Sequence, residues 1–141
     1  MTIWWLILAT ICIFICWRDY KHRVISNKSV LLLLGLLLST AVIRDSQLYF
    51  AQALLVLLLG IVLWKFGVFG AGDIKLASTF ALLIDPNYLM LTFVIMFLLG
   101  GIEALLYILI RKLKPISIVH DGLPFAIPIV ISGVFGIGAS I

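Results

Sequence analysis

The stretch YLMLTFVIMFLLGGIEALLYILI, Tyr88–Ile110, holds a single charged residue, Glu103, and ends against Arg111 and Lys112. A helix of about 20 apolar residues crosses a hydrocarbon core of about 30 Å, so this run is long enough to span a bilayer. Working outward from it gives five more apolar runs: Thr2–Trp17, Asn27–Ile43, Leu48–Trp64, Gly72–Ile84 and Leu123–Ile141. The connections between them are short. The whole 141-residue chain is 65% hydrophobic and 11% charged, with a mean hydropathy of +1.31, against roughly 45–50% and about 25% in soluble domains. Lipid admits only helices or closed barrels, and these runs lack the alternation of barrel strands. The expected fold is therefore an all-α integral membrane bundle of about six transmembrane helices. Residues 1–141 are read as one transmembrane domain, with no room for a separate soluble one.

The first run is read as a retained helix rather than a signal peptide, because no basic residue precedes it and no Ala-x-Ala spacing closes it. Orientation follows from the cations. Nine of the ten Lys and Arg residues flank the odd connections: Arg18, Lys21, Arg23 and Lys28 the first, Lys65 and Lys75 the third, Arg111, Lys112 and Lys114 the fifth. The odd connections are thus expected in the cytoplasm and both termini outside. The fourth run is short enough to be re-entrant, but that would put the Arg111–Lys114 cluster outside, so charge favours spanning. A formal net charge of +4 on so apolar a chain points to anionic lipid as a partner, not nucleic acid. Cys12 and Cys16 lie four apart in one apolar run and are read as small packing residues, not a disulfide or metal site.

Asp19 follows the first run and Asp73 opens the fourth, so the expected topology puts both carboxylates at one membrane depth. Two adjacent carboxylates cannot both ionise cheaply, and one then holds a proton while the other acts as base. That suits activation of water against a peptide carbonyl. Taken singly, Asp19 also reads as a solvated charge among Arg18, Lys21 and Arg23, and Asp73 as a helix-start residue favoured by the dipole. The setting of Asp73 shifts the balance. Gly70 and Gly72 remove side chains just before it, which permits positive φ and close approach of another backbone, such as an extended substrate. The alternative is a glycine-enabled kink. A dinucleotide fingerprint is not completed.

Gly70-Ala71-Gly72-Asp73-Ile74-Lys75 resembles the Gly-x-Gly-Asp-x-Lys motif of type IV prepilin peptidases, the membrane aspartyl proteases of pilus and secretion systems. Asp19-Tyr20-Lys21-His22-Arg23-Val24-Ile25-Ser26-Asn27 resembles the family's first-aspartate segment, which ends in Asn, with Ser26 where Pro is common. Gly122-Leu123-Pro124-Phe125-Ala126-Ile127-Pro128 is similar to the family's approach to its last helix. The likeness is greatest to the short peptidases of Flp-type tight-adherence pilus systems, which lack a methyltransferase insertion. It implies catalysis by Asp19 and Asp73 and support from Gly70, Gly72, Lys75 and Asn27. No cofactor or metal is implied. The implied substrates are prepilins or pseudopilins, cleaved after a small residue that follows a basic leader, at the inner (cytoplasmic) membrane.

Glu103 is functional by default as an intramembrane acid. It is expected to contact a polar substrate group, to bond within the bundle, or to stay protonated as a structural carboxyl. Lys75 is expected to orient or pair with Asp73, or to reach lipid headgroups. His22 and His120 lack a third convergent ligand, and the His-Glu-x-x-His zinc signature is absent. The rival reading is a non-catalytic membrane assembly factor or small transporter subunit, in which the acids relay protons or pack.

Overall fold

The computed structural model describes residues 2–44, 46–113 and 123–141. Six helices occur in the described residues, and no strand: α1 (Thr2–His22), α2 (Asn27–Arg44), α3 (Phe50–Lys65), α4 (Ala71–Ala81), α5 (Pro86–Leu113) and α6 (Ala126–Ser140). Lys114, His120 and Gly122, named above, lie outside the described residues.

Most helices depart from the apolar runs for local reasons. The first was expected to stop at Trp17. It continues to His22 because nothing in Arg18–His22 breaks a helix, and it ends where Arg23 takes a left-handed φ of 53°. Ser26 then caps α2, its hydroxyl oxygen accepting the Ser29 N–H at 3.1 Å and filling one of the free donors of a helix start. α5 opens on Pro86, a residue whose fixed φ suits the first helical position, and Asp85 caps it by accepting the Asn87 N–H at 2.8 Å. α4 stops at Ala81, short of the expected Ile84, and Leu82–Ile84 form a buried turn.

α4 and α6 form the centre. α6 packs on α5, α4 and α1, and α4 packs on α3, α6 and α2, with α1 against α2 at the periphery. Glycines allow the close approaches, as they do between packed helices in membrane bundles. A Cβ at Gly133 of α6 would run into the Phe80 ring of α4, and one at Gly136 would meet Thr92 of α5 and Ile84. The core comprises Leu8, Cys12 and Ile15 of α1, Leu33 and Leu37 of α2, Leu76 and Phe80 of α4, and Ile129 and Ile137 of α6. The outer faces of α1, α2, α3 and α5 instead expose large apolar side chains such as Ile13, Leu32, Leu58 and Leu105. Contiguous apolar surface on this scale fits contact with lipid. Two helical stretches, Ile3–His22 and Pro86–Ile110, are individually long and apolar enough to cross a membrane.

The chain runs up and down between two ends. At one, the Tyr49 hydroxyl donates to Asp85 Oδ2 at 3.2 Å, the Asp85 N–H donates to Ser140 Oγ at 2.8 Å, and Gln52 Nε2 donates to the carbonyls of Ala81 and Ile84. These bonds satisfy carbonyls that the end of α4 leaves open. At the other end lie the α1–α2 connection and the starts of α4 and α6.

Candidate active site

The second end gathers the acids. Leu8, Cys12, Ile15 and Asp19 follow one another at helical spacing along a single buried stripe of α1. Because α1 continues past Trp17, Asp19 stands in its last turn rather than beyond it, and the stripe carries the carboxylate inward with the core residues. Asp19 is 6% exposed. Its Oδ2 accepts the N–H of Ala126, the first residue of α6, at 3.2 Å across 107 residues of sequence. A helix N-terminus offers unpaired N–H groups and a partial positive charge, both favourable to a carboxylate.

Asp73 is the third residue of α4 and half-buried. Its Oδ2 accepts the Gly70 N–H at 3.2 Å, reaching back over the first turn as an acidic side chain does in a capping box. Each acid is therefore held through one oxygen by a backbone N–H at the start of a helix. Asp19 is close enough for its charge to act on Asp73 and on Glu103, and Arg23 close enough to act on Asp19 and Glu103. The half-buried Glu103 of α5 has its Oε2 buried without a hydrogen-bond partner among the described residues.

The two glycines do different things. Gly70, at φ −73° and ψ 146°, is extended, and a Cβ there would lie 2.8 Å from Asp73 Oδ2. A Cβ at Gly72 would lie 2.9 Å from the Cβ of Ile25, so the room beside Gly72 is taken by the α1–α2 connection. Neither has the positive φ that glycine would permit; Gly67 has, at 71°. Lys75 does not reach Asp73: its Nζ donates to Asn27 Oδ1 at 3.0 Å, tying α4 to the start of α2 on an exposed face. Cys12 and Cys16 are free thiols, buried and half-buried in the α1 packing. Among the described residues no group of three or more His, Cys, Asp or Glu is placed to hold a metal.

Arg23, read from the sequence as a charge beside Asp19, acts on it here. Phe69 and Phe125, each just before the helix that bears or binds an acid, were not singled out from the sequence. Their rings meet edge to face at 5.2 Å, and Phe69 also faces Phe97 at 6.2 Å. This contact holds the starts of α4 and α6 side by side, and with them the anchor points of Asp73 and Asp19. The signal for Phe125 lay in the Pro124-Phe125-Ala126 segment; for Phe69 it lay only in adjacency to Gly70. A cavity of about 260 Å³ opens between α3 and α5, apolar except for Asp73.

A profile of the type IV leader peptidase family matches residues 6–105, a span that takes in Asp19, Asp73 and Glu103 and stops before α6. No curated protein and no solved structure matches the chain.

Proposed function

The chain belongs to the type IV leader peptidase family, and from that premise we propose that it is a membrane aspartic endopeptidase that removes the N-terminal leader from prepilin or pseudopilin substrates. The observation that carries the aspartic chemistry is the placement of Asp19 and Asp73. They come from different helices, are held by backbone donors at two adjoining helix starts, and stand within reach of each other's charge.

One bound oxygen on each acid leaves the other for chemistry. The unprotonated carboxylate takes a proton from water as the water oxygen attacks the scissile carbonyl. The protonated one donates to the carbonyl oxygen, which gives a tetrahedral diol. A proton then passes to the leaving amine as the C–N bond breaks. Such paired acid–base assistance needs one proton shared between two carboxylates, the condition that close like charges create. Phe69 and Phe125 act as positioning residues, since their ring contact fixes the two helix starts that anchor the acids.

The chain crosses the inner membrane six times with the odd connections in the cytoplasm, so cleavage takes place at the cytoplasmic face. It acts as a peptidase without methyltransferase activity. The rival assembly-factor or transporter reading draws on the capping bond of Asp73, which is a structural task. Co-expression with candidate prepilins, read by intact mass, separates the two. Leader loss is expected with the wild type and not with Asp19→Asn or Asp73→Asn. General acid–base catalysis contributes about 10²–10⁴-fold, so turnover above roughly a tenth of wild type in either inserted, folded variant rules out the dyad.

A further inference from the structure

α1 and α2 share the core along their inner faces, through Leu8 and Cys12 on one and Leu33 and Leu37 on the other. On the outer side they part, and a groove of about 600 Å³ runs between them. Its floor is Ile11 of α1 and Leu36 of α2, both partly buried, and its lips are Ile7 and Leu32, both exposed. Along α2, Lys28 stands at one end of the groove and Ser39 at the other. We propose that this groove binds one acyl chain of an anionic phospholipid, with the lipid phosphate at Lys28, in the leaflet on the side of the α1–α2 connection. The site uses neither Asp19 nor Asp73, so it goes beyond the peptidase reading and stands apart from it.

Length sets the occupant first. From Lys28 to Ser39, α2 rises about 16 Å at about 1.5 Å per residue, half of a hydrocarbon core of about 30 Å. The groove thus reaches through one leaflet, the depth of a single acyl chain, whereas a transmembrane helix of a partner runs the full thickness. Width agrees. About 600 Å³ over that length is a section of about 40 Å², about half of what a helix about 10 Å across fills. Ser39 makes no demand for a polar ligand at the inner end, because its hydroxyl already donates to the Leu36 carbonyl at 2.7 Å.

Gly35 lines the groove and interrupts the leucine run Leu31–Leu38. A Cβ there would meet nothing within 4 Å, whereas one at Gly133 or Gly136 would collide with the side chains of Phe80 or Thr92. Glycine weakens a helix interior, and at Gly35 no close packing within the chain offsets that. The space it leaves belongs to the groove.

Charge selects the lipid. The stripe of Ile7 and Ile11 continues at helical spacing to Phe14 and Arg18, and the Arg18 guanidinium lies 5.9 Å from the Phe14 ring centroid. Lys21 Nζ lies 5.2 Å from the ring centroid of Trp17, an exposed tryptophan of the kind that marks a membrane interface. Arg18, Lys21 and Lys28 therefore stand at one end, while Asp19, the acid beside them in sequence, is buried. Phosphatidylcholine brings a phosphate together with its own cation; phosphatidylglycerol brings the phosphate alone. A Lys or Arg near the surface favours anionic lipid about fivefold. The bound lipid lies against the two helices whose connection sets Ile25 beside Gly72.

The test uses the full-length protein in phosphatidylcholine liposomes that contain a small fraction of a probe with a diazirine in its acyl chain, either phosphatidylglycerol or phosphatidylcholine. After irradiation, adducts at Ile7, Ile11 or Leu36 are expected by peptide mass spectrometry, about fivefold or more with the phosphatidylglycerol probe. Lys28→Gln is expected to lower that ratio about fivefold. Gly35→Leu fills the groove and is expected to cut the groove adducts about tenfold, while adducts on the outer faces of α3 and α5 stay as they were and report an inserted, folded protein. Adducts spread evenly over all outer faces, equal labelling by the two probes, or undiminished groove labelling in Gly35→Leu overturn the proposal. Should Gly35→Leu fail to insert, an unchanged probe ratio in Lys28→Gln overturns it alone. A Leu32→Cys protein, with Cys12 and Cys16 replaced by alanine, that forms a disulfide dimer in the membrane and takes no lipid adduct in the groove gives the surface to a second copy and overturns it too. Asp19→Asn is expected to label as the wild type does, whatever becomes of leader cleavage.

Discussion

A methyl group added at Gly70 would sit 2.8 Å from Asp73 Oδ2, so the carboxylate would have to turn away from the Gly70 N–H that holds it. Gly70→Ala is therefore expected to lower kcat about 10–100-fold, the scale of a reacting group displaced by about 1 Å, with unchanged thermal stability and helical content. Single-turnover kinetics and a melting curve check this. Gly72→Ala is expected to do the reverse. Its methyl meets the Cβ of Ile25, an atom tied to backbone that cannot swing aside, and overpacking of this kind costs about 1–3 kcal/mol. Ile25→Gly, which removes that Cβ, should restore part of the loss whereas Ile25→Ala, which keeps it, should not, and a cycle of Gly72→Ala and Ile25→Gly checks it. The motif Gly-x-Gly-Asp was legible as a demand for small residues beside an acid. What each glycine makes room for was not, because the neighbour of Gly72 comes from residue 25 and that of Gly70 is the acid itself.

Elements were legible where hydrophobicity and helix limits coincide, and less so where they do not. The start of α2 at Asn27 matched the apolar run, since Ser26 supplies a cap there. The end of α1 did not, because its last turn is polar on one side and buries Asp19 on the other; an apolar run ends at Trp17, but a helix need not. α4 is the opposite case, an apolar run longer than its helix, closed by one side chain of α3, Gln52, that no local pattern foretells. The Lys75–Asn27 bond between α4 and α2 belongs to this scale too. Both residues appear in the family-like motifs, yet their pairing depends on tertiary structure. Asn27→Ala and Lys75→Met are expected to reduce cleavage to a similar extent, and the double variant no further than either. Being exposed, the bond is worth under about 1 kcal/mol to stability, so denaturation midpoints should barely move while cleavage rates fall. Rates that multiply in the double variant would show the two residues acting separately.

At the scale of the whole molecule, the charge bias yields an up-and-down order, and the hydrogen bonds sort the connections the same way. Tyr49, Asp85 and Ser140 meet at one end, and Asp19, Asp73 and Arg23 gather at the other. The cleft between α3 and α5 was not legible, since it exists through the absence of packing between two apolar helices that look alike in sequence. α4 is the shortest of the described helices, and its 11 residues extend only about 16 Å at a rise of about 1.5 Å per residue, roughly half of a hydrocarbon core. Leu82–Ile84 carry the chain onward to the end where Asp85 binds Ser140, so residues 71–84 run from one end of the bundle to the other by helix plus buried turn, and six crossings require that this path span the membrane. The prediction is that, after Cys12 and Cys16 are replaced by alanine, a cysteine at Asn87 reacts with a membrane-impermeant maleimide in intact cells. A cysteine at Lys112 should react only after the inner membrane is opened. If Asn87 is instead protected until permeabilisation, α4 turns back toward the cytoplasm, and α5 and α6 reverse with it. The start of α6 could not then share a face with Asp19, although the Ala126 N–H bond requires it. One labelling pattern thus tests both the topology and the convergence of the acids, because the same crossing of residues 71–84 underlies each.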